Sequence, residues 1–206
     1  MRTIIILTVA MLFYATTADA KKAPVKPQKA PEDAVWAQEP ATFLGFTLGE
    51  PLPSSIPDCP RNAYGTDDMV AIATSSTCYM KSYGDVAKIW SPPDLGFGYS
   101  NSLFLKDGKL STIWLQLDAD RYLEAKRLLV MKYGPPSTSA VSTVKTKAGA
   151  EFSTEDSAWT GKKVTLRLSQ RFETADHSLI SIQDNGLSAK AEQDFQQKQN
   201  AAASKL

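Results

Sequence analysis

The amino-acid sequence predicts an α+β fold, a mostly antiparallel sheet with one main helix packed on a face and a short docked C-terminal helix. Three observations carry that expectation. Short runs of alternating apolar residues recur along the chain. Tight turns rather than helical crossovers join them. One stretch alone has the start, the apolar stripe and the stop of a long amphipathic helix.

The chain opens MRTIIILTVAMLFYATTADA. Arg2 gives a short positive region and Ile4 to Ala15 an apolar run. Ala18 and Ala20 occupy the small-residue positions of a cleavage site. The apolar run is shorter than the roughly 20 residues a bilayer span requires. Residues 1–20 therefore read as a secretory signal peptide cut after Ala20, with an uncleaved anchor or a buried strand as the alternatives. Residues 21–41 read as a flexible leader. Lys21, Lys22, Lys26 and Lys29 are spaced among Pro24, Pro27 and Pro31, and proline removes amide donors while few apolar groups repay ordering. The leader is a spacer, or a contact for an anionic membrane or wall polymer; Trp36 is expected to pack back.

One α+β domain is expected over residues 42–184. Phe43, Leu44, Phe46 and Leu48 suggest a short strand or a strand and turn. Residues 49–65, rich in Pro and Gly, read as an irregular loop stapled by Cys59 to Cys78. Export to an oxidising compartment favours pairing of two cysteines. Met69 to Tyr79 is read as a strand, and Ala87 to Trp90 as another. Leu103 and Leu105, the Asp107-Gly108 turn, then Ile113, Leu115 and Leu117 spell a hairpin. Leu110 and Trp114 fall on its other face, expected to be covered by the helix or the N-terminal segment.

The main helix follows. Asp118 or Asp120 caps it, and Tyr122, Ala125, Leu129 and Tyr133 recur at helical spacing. Gly134 and Pro135-Pro136 stop it. Ser139 to Lys147 reads as a strand, Glu151 to Thr154 as a brief pairing segment, and residues 155–161 as a polar turn holding Trp159. In KKVTLRLSQRF, Val164, Leu166 and Leu168 face inward, while Lys163, Thr165, Arg167, Ser169 and Arg171 face water. Ser178, Ile180 and Ile182 form the partner strand. In the tail, residues 185–206, Leu187, Ala191 and Phe195 are expected to dock one or two helical turns, with fraying beyond.

The GFTLGEPL opening, the DGKL hairpin, the helix ending KYGPP and the late tryptophan before a strand resemble small periplasmic or outer-membrane accessory domains of the outer-membrane-assembly lipoprotein or inhibitor type. The resemblance spans Phe43 to Asp184. The lipidation cysteine of the assembly lipoproteins is absent.

The formal net charge is +1, too balanced to draw the chain onto nucleic acid. His177 is the single histidine, so zinc lacks ligands once the cysteines pair. No G-x-S-x-G elbow is present, Asp176 is poorly placed to orient its neighbour His177, and Gly96 and Gly98 make no dinucleotide fingerprint. Carboxylates able to work in pairs are Asp94, Asp118, Asp120, Glu151 and Glu155, each explicable as a cap or turn residue. No catalytic residue, metal or cofactor is assigned. The expected function is that of an exported binding or accessory protein of the bacterial envelope, periplasmic or secreted and not an integral membrane protein after signal removal. The alternatives are a small hydrolase using paired carboxylates or a structural envelope protein. The binding residues expected are the basic comb Lys163, Arg167 and Arg171 with Trp159, Trp90 and Tyr99. The partner is a protein or an anionic envelope component.

Overall fold

The structure is a computed structural model that describes residues 36–81, 84–145, 149 and 151–204. The expected signal peptide and residues 21–35 of the leader lie outside the described residues. So does the end of the strand expected to reach Lys147.

The strands are β1 (Cys78–Lys81), β2 (Val86–Trp90), β3 (Ser100–Lys106), β4 (Lys109–Asp118), β5 (Thr138–Lys145), β6 (Glu151–Thr160), β7 (Val164–Ser169) and β8 (His177–Asp184). The helices are α1 (Met69–Ala73), α2 (Tyr122–Tyr133) and α3 (Asn185–Ala203). One eight-stranded sheet runs in the order β1-β2-β3-β4-β8-β7-β6-β5, and every pairing is antiparallel. Each half is a four-strand meander entered at an outer edge and left at the centre. The two last strands, β4 and β8, join the halves with Leu115 opposite Ile180.

Alternation decides which face is buried. Leu103, Ile113, Leu115, Ile180, Ile182, Leu166 and Leu168 share one face and one core cluster with Tyr122, Ala125, Leu129 and Tyr133 of α2. Each Å² of apolar area they remove from water contributes roughly 25 cal/mol of stabilisation. Trp36, Phe43 and Phe46 close the cluster from the N-terminal side. Trp36 donates Nε1–H to Tyr133 O at 2.9 Å and meets the Tyr133 ring edge-on.

Several sequence expectations are corrected. Phe43 and Phe46 form a tight reciprocal bridge, not a strand of the sheet. The expected strand from Met69 begins instead as α1, because the Asp68 carboxylate accepts from Val70 and Ala71 N–H and starts a helical turn. Leu110 does not face away from the core. A bulge between Phe104 and Leu105 skips Ser111, so Leu110 pairs with Leu105 and is 1% exposed. Residues 155–160 are no turn but the second half of β6. Their inward polar side chains, Glu155 and Ser157, are satisfied by hydrogen bonds from α2 and β5. In the tail, α3 runs on to Ala203 and leaves Phe195 54% exposed. Ala, Gln and Lys are good helix formers. Lys190–Asp107 at 2.8 Å and Lys106–Asp194 at 3.6 Å fasten this helix to the β3–β4 hairpin.

Cys59 and Cys78 form a disulfide. With Ile72 of α1 they make a second buried cluster, against which Met80 and Trp90 pack. Cys78 lies opposite Trp90 in the β1–β2 register, one residue out of step with the main-core residues Tyr79 and Ile89. The second cluster therefore covers the far face of the sheet at the β1–β2 end only.

Candidate functional site

The remainder of that far face contributes no member to the main core cluster. Its centre is aromatic. Phe104 and Trp114 have ring centroids 4.8 Å apart, and Trp114 and Phe172 5.3 Å, both edge-to-face. Phe104 and Trp114 are placed there by the pleat, out of phase with Leu103, Ile113 and Leu115. Phe172 comes from the β7–β8 loop, which folds back through a hydrogen bond from Phe172 N to His177 O at 2.8 Å. Small neighbours, Ser102 and Ser181, flank Trp114 across the strands. Ser181 pairs onward with Arg167, and Arg167 with Ala158. Trp114 and Arg167 therefore occupy one cross-strand row two strands apart, about 10 Å at the usual strand spacing. Arg167 is exposed and makes no ion pair or hydrogen bond with the described residues. A flat ring beside an unpaired guanidinium offers an apolar contact, a cation and five donors to a partner.

The expected binding residues separate. Arg167 stands clear. Lys163, just before β7, is also exposed. Arg171 is engaged: its guanidinium lies 4.8 Å from the centre of the Phe152 ring, its Nε donates to Ser153 O at 3.4 Å, and an Nη donates to Ala175 O. It holds the loop that carries Phe172. Trp159 is in the core, 0% exposed, donating Nε1–H to Gly134 O at 2.8 Å. A side chain so placed meets no partner. Trp90 packs beneath α1 and the disulfide. Tyr99 donates its hydroxyl to Pro93 O at 2.5 Å, and burial together with the Asp94 charge raises its pKa. Trp114 was visible in the sequence as an off-phase aromatic. Phe172 carries no such mark, since the loop fold alone brings it over the sheet.

Two concavities flank the sheet. One of about 420 Å³ is lined by Tyr99, Ser100, Gln116, Asp118, Arg121 and His177, among others. His177 stands opposite Asp118 in register, and its Nδ1 lies 2.8 Å from Thr174 Oγ1. The other, of about 440 Å³, is mostly apolar and lies between Leu52, Ile56, Tyr79, Val86 and Leu105. Burial raises the pKa of Tyr79 to about 12. Four of the five candidate carboxylates are engaged elsewhere, while Asp118, at the turn that leads into α2, makes no side-chain capping bond. Asp94 accepts from Gly96 N–H, Asp120 pairs with Arg121, and Glu151 with Lys145. Glu155 accepts from Tyr122, Lys126 and Ser139. Among the described residues no group of three or more His, Cys, Asp or Glu side chains gathers in a metal-binding arrangement. No described helix is long and apolar enough to cross a membrane.

No protein-family model, curated protein or solved structure matches this chain.

Proposed function

We propose that this chain is an exported, non-catalytic binding or accessory protein of the bacterial envelope, periplasmic or secreted, and that it holds its partner on the far face of the sheet. The observation that carries this reading is the row shared by Trp114 and Arg167, with Phe104 and Phe172 packed on either side of the indole. Aromatic and arginine side chains together are the usual anchors of a protein interface. A rigid sheet fixes the backbone beneath them, so the ordering cost on binding is confined to side chains such as the exposed Arg167. The disulfide supports the compartment, because such bonds persist where thiols oxidise. The unpaired Arg167 favours an acidic partner, with Lys163 extending the positive field.

The test is capture from envelope extract by the purified protein, compared with Trp114→Ala, Arg167→Glu and the double variant. Loss of the captured component in the variants, with unfolding curves close to the parent, is expected. Undiminished capture by the double variant would overturn the assignment of this face.

A further inference from the structure

The two edges of the sheet are unlike. β1 is four residues long, and its outer side is occupied: Asp58 bridges Tyr79, Cys59 N donates to Tyr79 O at 2.8 Å, and Tyr79 N donates to Pro57 O at 2.8 Å. The disulfide fixes that cover in place. β5 is eight residues, TSAVSTVK, and among the described residues pairs only with β6. No backbone hydrogen bond from another described residue reaches its outer side. Val141 is 71% exposed and Val144 39%. Natural edges are usually blunted by shortness, proline, a bulge or charge. β1 is short and covered, whereas Thr138 to Val144 carries no charge or proline, and its pairing with β6 is unbroken.

We infer that β5 is a self-association edge, at which a second copy of this chain adds antiparallel and joins two sheets into one. The sequence selects the register. Directly opposed residues in an antiparallel pair share a face, so a twofold axis must pass through a residue and not between two. Centred on Val141, the axis places Val141 against its own copy, Ala140 against Ser142, Ser139 against Thr143 and Thr138 against Val144. Every pair in that ladder is uncharged, and a shift toward Lys145 breaks the pattern. Lys145 lies outside it and is neutralised within its own chain by Glu151 at 2.7 Å. The leader is a poor occupant, since Pro24, Pro27 and Pro31 lack donors for a ladder. With β1 closed, assembly stops at two copies, a closed isologous dimer. The edge lies at the far end of the sheet order from β1 and does not use Trp114 or Arg167, so this inference stands apart from the capture proposal.

Sedimentation equilibrium on the purified protein reads it directly. Twice the chain mass is expected for the parent and the single chain mass for Val141→Lys, an exposed position where the substitution leaves folding intact. Val141→Cys is expected to cross-link to its copy under mild oxidation, whereas Val144→Cys, opposed by Thr138, is not. A monomeric parent would overturn the inference, as would a dimer indifferent to Val141→Lys or equal cross-linking at positions 141 and 144.

Discussion

The carboxylate of Glu39 occupies the place that a side chain on Gly161 would need: a Cβ built there comes 2.9 Å from Glu39 Cγ and closer still to the carboxylate. From that position Oε1 accepts from the amides of Lys163 at 2.6 Å and Val164 at 2.8 Å, and Oε2 accepts from Lys162 at 3.1 Å. The contact ties the N-terminal segment to the start of β7. Gly161→Ala is expected to expel the carboxylate and cost about 1.5–3 kcal/mol, the range for hydrogen bonds to a charged group. Urea unfolding checks it, and an unchanged midpoint would refute the role given to Gly161.

Acid should weaken the fold through two carboxylates. Burial alone would raise the Glu39 pKa, but the three amides and the Lys163 charge outweigh it and hold the carboxyl below its ordinary value of 4.5. In Glu155 burial is likewise outweighed, by hydrogen bonds from Lys126, Ser139 and Tyr122. A lowered folded-state pKa means that the unfolded chain binds protons first. The stability from both groups is complete above the unfolded value and is lost as pH falls through the lower, folded one. Urea midpoints should therefore be level near neutrality and fall below about pH 4.5. The Glu39→Gln, Glu155→Gln double variant should start lower and show a flatter acid limb. An acid limb as steep as the parent's would remove these residues as its cause.

Legibility in the sequence followed the physics of each segment. The β3–β4 hairpin apart from its bulge, α2 with its Gly134 stop, and the β7–β8 pair could be read directly, because each has one apolar period and local turn chemistry. β6 could not. Its inward positions carry Glu155 and Ser157, polar groups whose partners, Tyr122, Lys126 and Ser139, lie far away in sequence. Leu110 was misplaced for a related reason: one bulged residue, Ser111, inverts the alternation, and its hydroxyl then bonds Phe104 O at 2.9 Å. Of the candidate site, Trp114 was readable only as an off-phase aromatic expected to lie under the helix or the N-terminal segment, and Arg167 alone was legible. Phe172 was not, and Trp159 was mistaken for a turn residue along with the rest of the second half of β6.

Reduction should loosen one end of the sheet first. The disulfide closes a sequence separation of 19 residues, for which chain entropy gives about 3 kcal/mol. The same bond holds the Asp58–Tyr79 bridge and the buried face of α1. A Cys59→Ala, Cys78→Ala variant is expected to unfold at lower urea and to lose hydrogen-exchange protection first in β1 and β2. Uniform loss across the sheet would contradict this local role.

Two tryptophans on opposite faces of the sheet should respond oppositely to substitution. Trp159 is fully buried and its indole N–H satisfies the carbonyl of Gly134, the residue that ends α2 with φ of 77°. Trp159→Phe removes the donor, strands that carbonyl and leaves a void beside the helix terminus. Together these should cost about 2–4 kcal/mol. Trp114 belongs to neither buried cluster and touches Phe104 and Phe172 on the far face. Trp114→Ala should lower the urea midpoint far less while abolishing capture of the partner, whereas Trp159→Phe should lower the midpoint and leave capture intact wherever the protein remains folded. If Trp114→Ala proved the more destabilising of the two, the far face would be a second core rather than a binding surface, because only a ring enclosed by its own chain loses that much on truncation.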